Sequence, residues 1–322
     1  MRVLRVISVA MMLIAAMTIQ LVNEAFGQAY PSKPIRIVTA GLGGGSDLAS
    51  RLIASGLSAP LGQQLIIDNR PSGVIPGDTV AKSAPDGYTI LFSSSSLWIG
   101  GFLENVPYDA LTDFSPITLA NTAPYILIVH PSVPVKSVKE LVALARARPG
   151  ELNYGSTGFT SAQRLTSEFF KLAAKVKITE IPFKSVSALT VDLLSGQIQV
   201  VFYNGAAAIP YVNAGRLRAL GVTSPKPSPL FPGVPTVAST GLPGFESVTL
   251  FGFLAPAKTP GPVITRLNQE IVRVLQRADL KEKFFEIGVE PVGSSSGEFA
   301  TAIKADRDTL GKVIADAGLR TK

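Results

Sequence analysis

Gly41, Gly43, Gly44 and Gly45, followed by Ser46 and Asp47, carry the plainest chemical meaning in this chain. Four glycines in five positions remove the Cβ where the chain reverses, so a ligand can reach the backbone. Ser46 and Asp47 are both good helix N-cap types. Ile35, Ile37 and Val38 precede the turn as a buried strand requires. Ala49, Leu52, Ile53, Gly56 and Leu57 follow it at helical spacing. Strand, glycine turn and helix start, with Ala40 opening the turn, leave orphan amide N–H groups at the positive end of a helix. That is an anion site. The plan recurs at Gly155-Ser-Thr-Gly-Phe-Thr-Ser161, between a strand at 152–154 and a helix carrying Leu165, Phe169 and Leu172. Two such mouths predict two lobes that face each other.

Which anion is a narrower question. A P-loop needs Gly-Lys-Ser/Thr, and Gly45-Ser46-Asp47 excludes it. A dinucleotide fingerprint would use Gly41, Gly43 and Asp68, but Ser46 occupies its third glycine and Asp47 sets a carboxylate beside a pyrophosphate. An ordinary strand-to-helix turn is the other reading of the same residues. A third strand, 88–92, runs into Ser93-Ser-Ser-Ser96, Leu97 and Trp98. Ligands gather at the carboxyl ends of strands in open α/β sheets, so this run either faces the same mouth or is a solvated loop. Other chemistries are thinly supplied. The chain has no cysteine and one histidine, His130 at a strand end, and no G-x-S-x-G elbow, so thiolate, histidine-rich metal and serine-triad chemistry are excluded.

The elements that must hold these turns are bounded by composition. Arg2 and Arg5, an apolar run at 6–19 and Gly27-Gln-Ala29 form a secretory signal peptide with cleavage expected after Ala29. Cleavage removes two arginines and Glu24, lowering the net charge of +7 by one. No block of like charge marks a nucleic-acid arm. The remaining chain of about 290 residues suffices for two cores. Strands alternate with helices throughout, which predicts an α/β fold with largely parallel sheets. Two strands are expected at 117–120 and 125–129, and one at 248–254 returning to the first lobe. Capping boxes are expected at Ser137/Glu140, Asp279/Glu282 and Ser295/Glu298, and 225–243 reads as irregular.

Several motifs resemble those of the periplasmic solute-binding proteins of tripartite tricarboxylate transporters, the Bug family. They are Tyr30-Pro-Ser-Lys-Pro-Ile-Arg36, Asp68-Asn-Arg-Pro71, Ala84-Pro-Asp-Gly-Tyr88, Pro107-Tyr-Asp109 and Val129-His-Pro-Ser132. Ala214-Gly-Arg-Leu-Arg-Ala-Leu220, Pro235-Thr-Val237, Gly241-Leu-Pro-Gly-Phe245 and Glu290-Pro-Val-Gly293 continue the series in order. The resemblance implies a two-lobed periplasmic-binding-protein fold, type II-like, with mixed, mostly parallel sheets joined by two crossing strands. The expected division is signal peptide 1–29, first lobe 30–128, second lobe 129–246 and a return to the first lobe over 247–322. It implies capture of a mono- or dicarboxylate in the cleft and delivery to membrane permease subunits, by a monomer without catalysis, metal, cofactor or nucleic-acid partner. An orphan sensor feeding a signalling system is an alternative, and a dinucleotide-dependent oxidoreductase a remoter one.

The walls of the cleft are then the turn at Ala40, Gly41, Gly43, Gly44, Gly45, Ser46 and Asp47 and the turn at Ser156, Thr157, Gly158, Phe159, Thr160 and Ser161. Ser94, Ser95, Thr160 and Asn204 are expected to add side-chain bonds, and Trp98, Phe159 and Tyr203 to line the rest. Asp47 either holds waters or caps its own helix. Arg164 and Lys184 are candidates for a second carboxylate. The chain departs from the family pattern at Ala40-Gly41-Leu42-Gly43, at Arg164 in place of a histidine, and at Tyr203-Asn204 in place of Asp-Asn. The last two changes favour negative charge or an apolar ring in the cleft.

Overall fold

The computed structural model describes residues 30–42, 45–71, 74–157 and 161–319, with the side chains of 204–207 outside the description. Strand β1 (Ile35–Thr39) leads to helix α1 (Gly45–Leu61), β2 (Leu65–Asn69), α2 (Ile75–Ala81), β3 (Thr89–Ser94) and α3 (Ser96–Leu103). β1 lies between β2 and β3, parallel to both, with Ile35 opposite Leu65 and Ile37 opposite Ile90. Ile35, Ile37 and Phe92 pack on Ile53 and Leu57 of α1, which realises the apolar spacing of the sequence as one buried face. The serine run is not a loop throughout, because Ser96 already opens α3.

The next strand departs most from expectation. β4 is a single strand over Phe114–Val129, not two. Pro116 and Pro124 remove ladder donors, and Asn121 and Thr122 interrupt the apolar run. The strand nevertheless continues, with register shifts between Pro116 and Thr118 and between Leu119 and Asn121. Its first part pairs antiparallel with β9 (Val248–Pro256), and β9 pairs with β3. Its second part pairs antiparallel with β7 (Val200–Asn204) and β8 (Arg218–Val222). One strand therefore serves both sheets, and β9 runs beside it where they meet.

The second sheet is completed by α4 (Val138–Ala147), β5 (Asn153–Thr157), α5 (Ala162–Ala174), β6 (Thr179–Phe183), α6 (Val186–Leu194) and α7 (Gly205–Asn213). β5 lies parallel to β6 and touches β7 at Tyr154 opposite Val200. Its core contains Leu127, Leu141, Tyr154, Phe170, Phe202 and Phe245. A short helix α8 (Val237–Thr240), capped by Thr236, interrupts the passage expected to be irregular.

The chain closes with α9 (Gly261–Leu275), α10 (Ala278–Glu286), the two-residue β10 (Glu290–Pro291) beside β4, and α11 (Ser296–Asp316). The capping box of Ser295 and Glu298 forms as expected. That of Asp279 does not, since Arg277 is the N-cap and makes no side-chain cap bond. The two lobes touch beside the crossing strands. Leu165 of α5 enters the first-lobe cluster that holds Leu254, Phe299 and Ile303, and Thr166 Oγ1 lies 2.7 Å from Ser247 Oγ. Among the described residues no helix is long and apolar enough to cross a membrane.

Candidate functional site

The first wall forms where β1 and β3 end. Ala40, Ser46, Ser93, Ser94, Ser96 and Tyr108 are among the residues around a cavity of about 220 Å³ at these strand ends. A Cβ built on Gly45 would meet no atom within 4 Å, so this glycine borders open space and not a packed neighbour. Gly43 and Gly44 lie outside the described residues. Ser94 Oγ lies 2.9 Å from Ser96 Oγ at the rim.

Asp47 does not point its carboxylate into this space. It is buried, and its Oδ1 accepts from Arg51 Nε at 2.8 Å and from Asn69 Nδ2 at 2.8 Å. Asn69 Nδ2 also donates to the Ala40 carbonyl at 3.0 Å, and Asn69 Oδ1 accepts from Arg51 Nη2 at 2.7 Å. One amide side chain at the end of β2 thereby ties the residue that opens the turn to the first turn of α1. The role is positional: the acid neighbours the positive end of α1 and is tied to the end of β2. Asn69 and Arg51 are site residues that sequence reasoning missed. The signal lay in Asp68-Asn-Arg-Pro71, quoted as a motif with no role.

Two expected lining residues are corrected. Trp98 is 2 % exposed; its ring packs edge-on against Phe299 at 6.1 Å and its Nε1 donates to Asp306 Oδ2 at 2.7 Å. The residue lies on α3, whose buried face turns toward α11, so the ring belongs to the first-lobe core. Burial raises the Asp306 carboxyl above its ordinary value, in spite of hydrogen bonds to Trp98 and Ser95. Tyr203 is likewise buried, with its hydroxyl bonded to Thr190 among Leu189, Leu193 and Val201. Ser95 is also internal: its Oγ accepts from the Leu250 amide at 3.1 Å, which ties α3 to β9.

The second wall forms where β5 meets α5. Ser161 is the N-cap, accepting from the Arg164 amide at 3.2 Å, as its type predicts. Gly158, Phe159 and Thr160 lie outside the described residues, as does the side chain of Asn204. Thr157 Oγ1 donates to Gln163 Oε1 at 3.0 Å, and Gln163 Nε2 donates to the Phe202 carbonyl at 2.8 Å, which stitches the turn to β7. Ser156 donates its hydroxyl to Glu180 Oε1 at 2.6 Å, so that hydroxyl faces β6 and not a ligand. Glu180 also accepts from Arg164, Nε to Oε1 at 2.7 Å and Nη2 to Oε2 at 3.0 Å. Burial opposes ionisation of Glu180, but the bonds from Arg164 and Ser156 and the Arg164 charge outweigh it and hold the carboxyl below its ordinary range. Glu180 and Gln163 are further residues the sequence left unmarked. Among the described residues no group of three or more His, Cys, Asp or Glu side chains could hold a metal.

At both walls the described residues Ala40, Asp47, Ser156 and Thr157 are tied to neighbouring elements.

The chain is similar to known proteins over most of its length. Residues 49–319 match the family model for the tripartite tricarboxylate transporter family receptor. BugT of Bordetella pertussis is 34% identical over 91% of this chain and 92% of its own. A solved structure from R. palustris, with adipate, is 35% identical, covers 90% of this chain and 99% of its own, and has a TM-score of 0.75. A solute-binding protein of the same family from Polaromonas, solved without ligand, shares the fold at 24% identity, 89% and 100% coverage, and a TM-score of 0.81.

Proposed function

Since the chain belongs to the tripartite tricarboxylate transporter receptor family, we propose that it captures an organic carboxylate between its two lobes outside the cytoplasmic membrane and delivers it to a membrane permease. Residues 30–128 with 247–322 make one lobe and 129–246 the other. The signal peptide ends at Ala29, and the mature protein acts as a monomer without catalysis.

Carboxylate is the ligand class because α1 and α5 each begin at one wall, and a helix N-terminus favours negative charge. The amides of 43–47 take the carboxylate from one side and those of 157–161 from the other. Each charge-assisted bond contributes about 1.5–3 kcal/mol. A few of them, less the cost of closing the lobes, suffice for binding near the micromolar range, about 8 kcal/mol. The observation that carries this reading is the 35%-identical R. palustris structure with adipate, and adipate is therefore the first probe.

A thermal-shift screen of the mature protein over mono- and dicarboxylates tests it. A ligand that binds only the folded state raises the melting temperature, by about 2.7 kcal/mol of added stability at a hundredfold excess over Kd. Shifts confined to carboxylates support the reading. A screen in which no carboxylate moves the transition, or in which a dinucleotide does, refutes it.

A further inference from the structure

Arg164 sits in the first turn of α5, three residues beyond the N-cap Ser161. A cation there adds to the positive end of the helix and would favour the most negatively charged ligand available. The guanidinium is largely covered, at 11% side-chain exposure, and its Nε and Nη2 meet the two oxygens of Glu180 from β6. Ser156, at the end of β5, donates to the same carboxylate. Two residues of the strand–turn–helix unit are therefore bound to one acid that the unit does not itself contain.

We propose that Glu180 sets the charge selectivity of the cleft by cancelling Arg164, so that the second-lobe wall recognises one carboxylate through backbone amides and does not reward a second. This rests on the carboxylate reading above, and makes Glu180 a positioning residue that acts through Arg164. Both members of the pair are ionised at neutral pH in this geometry. The two nitrogens face two oxygens in a fork that fixes the guanidinium plane. Removing either partner leaves the other's charge in a largely covered site, and the two removals have opposite sign. Without Glu180 the wall gains a net positive charge, and without Arg164 a net negative one. A role in stability alone would weaken binding of every ligand in both variants.

The test uses the full mature chain with adipate and hexanoate, which share a six-carbon chain and differ in the second carboxylate. Calorimetry gives the ratio of the two affinities for the wild type, Glu180→Gln, Arg164→Gln and the double variant. Glu180→Gln is expected to move the ratio about tenfold toward adipate, with the shift shrinking as salt rises from low to physiological ionic strength. Arg164→Gln moves it toward hexanoate, and the double variant returns it near the wild-type value. Equal ratios in all four proteins, or a shift of the same sign in both single variants, overturn the proposal while leaving the carboxylate reading intact. Failure of the wild type to bind either acid overturns both. If Glu180→Gln does not fold, Arg164→Gln against the double variant reads the same charge difference.

Discussion

Asn69 offers the sharpest perturbation of the first wall. Its amide makes three bonds: to the Ala40 carbonyl, to the Asp47 carboxylate and from Arg51. Asn69→Ala removes all three without touching the turn itself. A buried bond contributes about 1 kcal/mol net, and the bond to the half-exposed Arg51 contributes less, so the loss of stability is about 2 kcal/mol. A chain of this size unfolds with an entropy near 0.6 kcal/mol/K, which converts that loss into a fall in melting temperature of about 3 °C. The effect on affinity is larger in proportion. The turn no longer holds its amides in place, and the cost of ordering it moves into the binding step, weakening carboxylate binding at least about tenfold. Asn69→Asp separates charge from packing. It keeps the volume, loses the donor and sets a second carboxylate where the amide lay 2.8 Å from Asp47 Oδ1. It should be less stable than Asn69→Ala at neutral pH. Two acids sharing one site raise the pKa of one of them, so the extra deficit is present above that pKa and fades as pH falls through it. Calorimetric scanning and titration measure both quantities. An Asn69→Ala protein that melts within about 1 °C of wild type and binds with unchanged affinity would refute the reasoning.

Further outcomes follow from the core and the crossing strands. Asp306→Asn keeps an acceptor for Trp98 Nε1 and removes a carboxyl whose pKa burial raises. In the wild type, ionisation withdraws stability as pH rises through that raised pKa, so the variant should melt higher at neutral pH. The difference should vanish below the ordinary carboxyl value of 3.8; a variant that melts lower at neutral pH contradicts this. Trp98 emission should stay at short wavelength and resist iodide with or without carboxylate; ligand-dependent quenching would return the ring to the cleft. Gly252→Ala drives a Cβ to 2.3 Å from the Phe299 ring of α11 and 2.6 Å from the Thr118 carbonyl of β4. It should cost about 3 kcal/mol, read as a lower denaturant midpoint at unchanged slope.

Much of this was legible in the sequence, for identifiable reasons. β1 and α1 were readable because one turn must reverse the chain and the apolar spacing on either side has a single period. Ser137 and Ser295 were readable as caps because capping is local. The single strand β4 was not, since Pro116 and Pro124 break a local pattern and only pairing with β9 and β7 restores it. Trp98 was misplaced because a strand end fixes where the chain goes but not which face of the following helix turns inward. Ser96 begins that helix, and its buried face carries Trp98 toward Phe299. Asn69, Gln163 and Glu180 were unmarked for a related reason. Each acts on a turn 6 to 29 residues away in sequence, and no spacing rule announces a side chain that reaches across strands.

The central claim is that one carboxylate is held by the amide edges of both turns at once. Hydrogen–deuterium exchange of the mature protein, with and without saturating adipate, tests it most directly. The account predicts slowed exchange in peptides spanning 41–47 and 157–161 together, at the same ligand concentration. Protection of one turn alone, or only of peptides elsewhere in the chain while calorimetry reports binding, would contradict it.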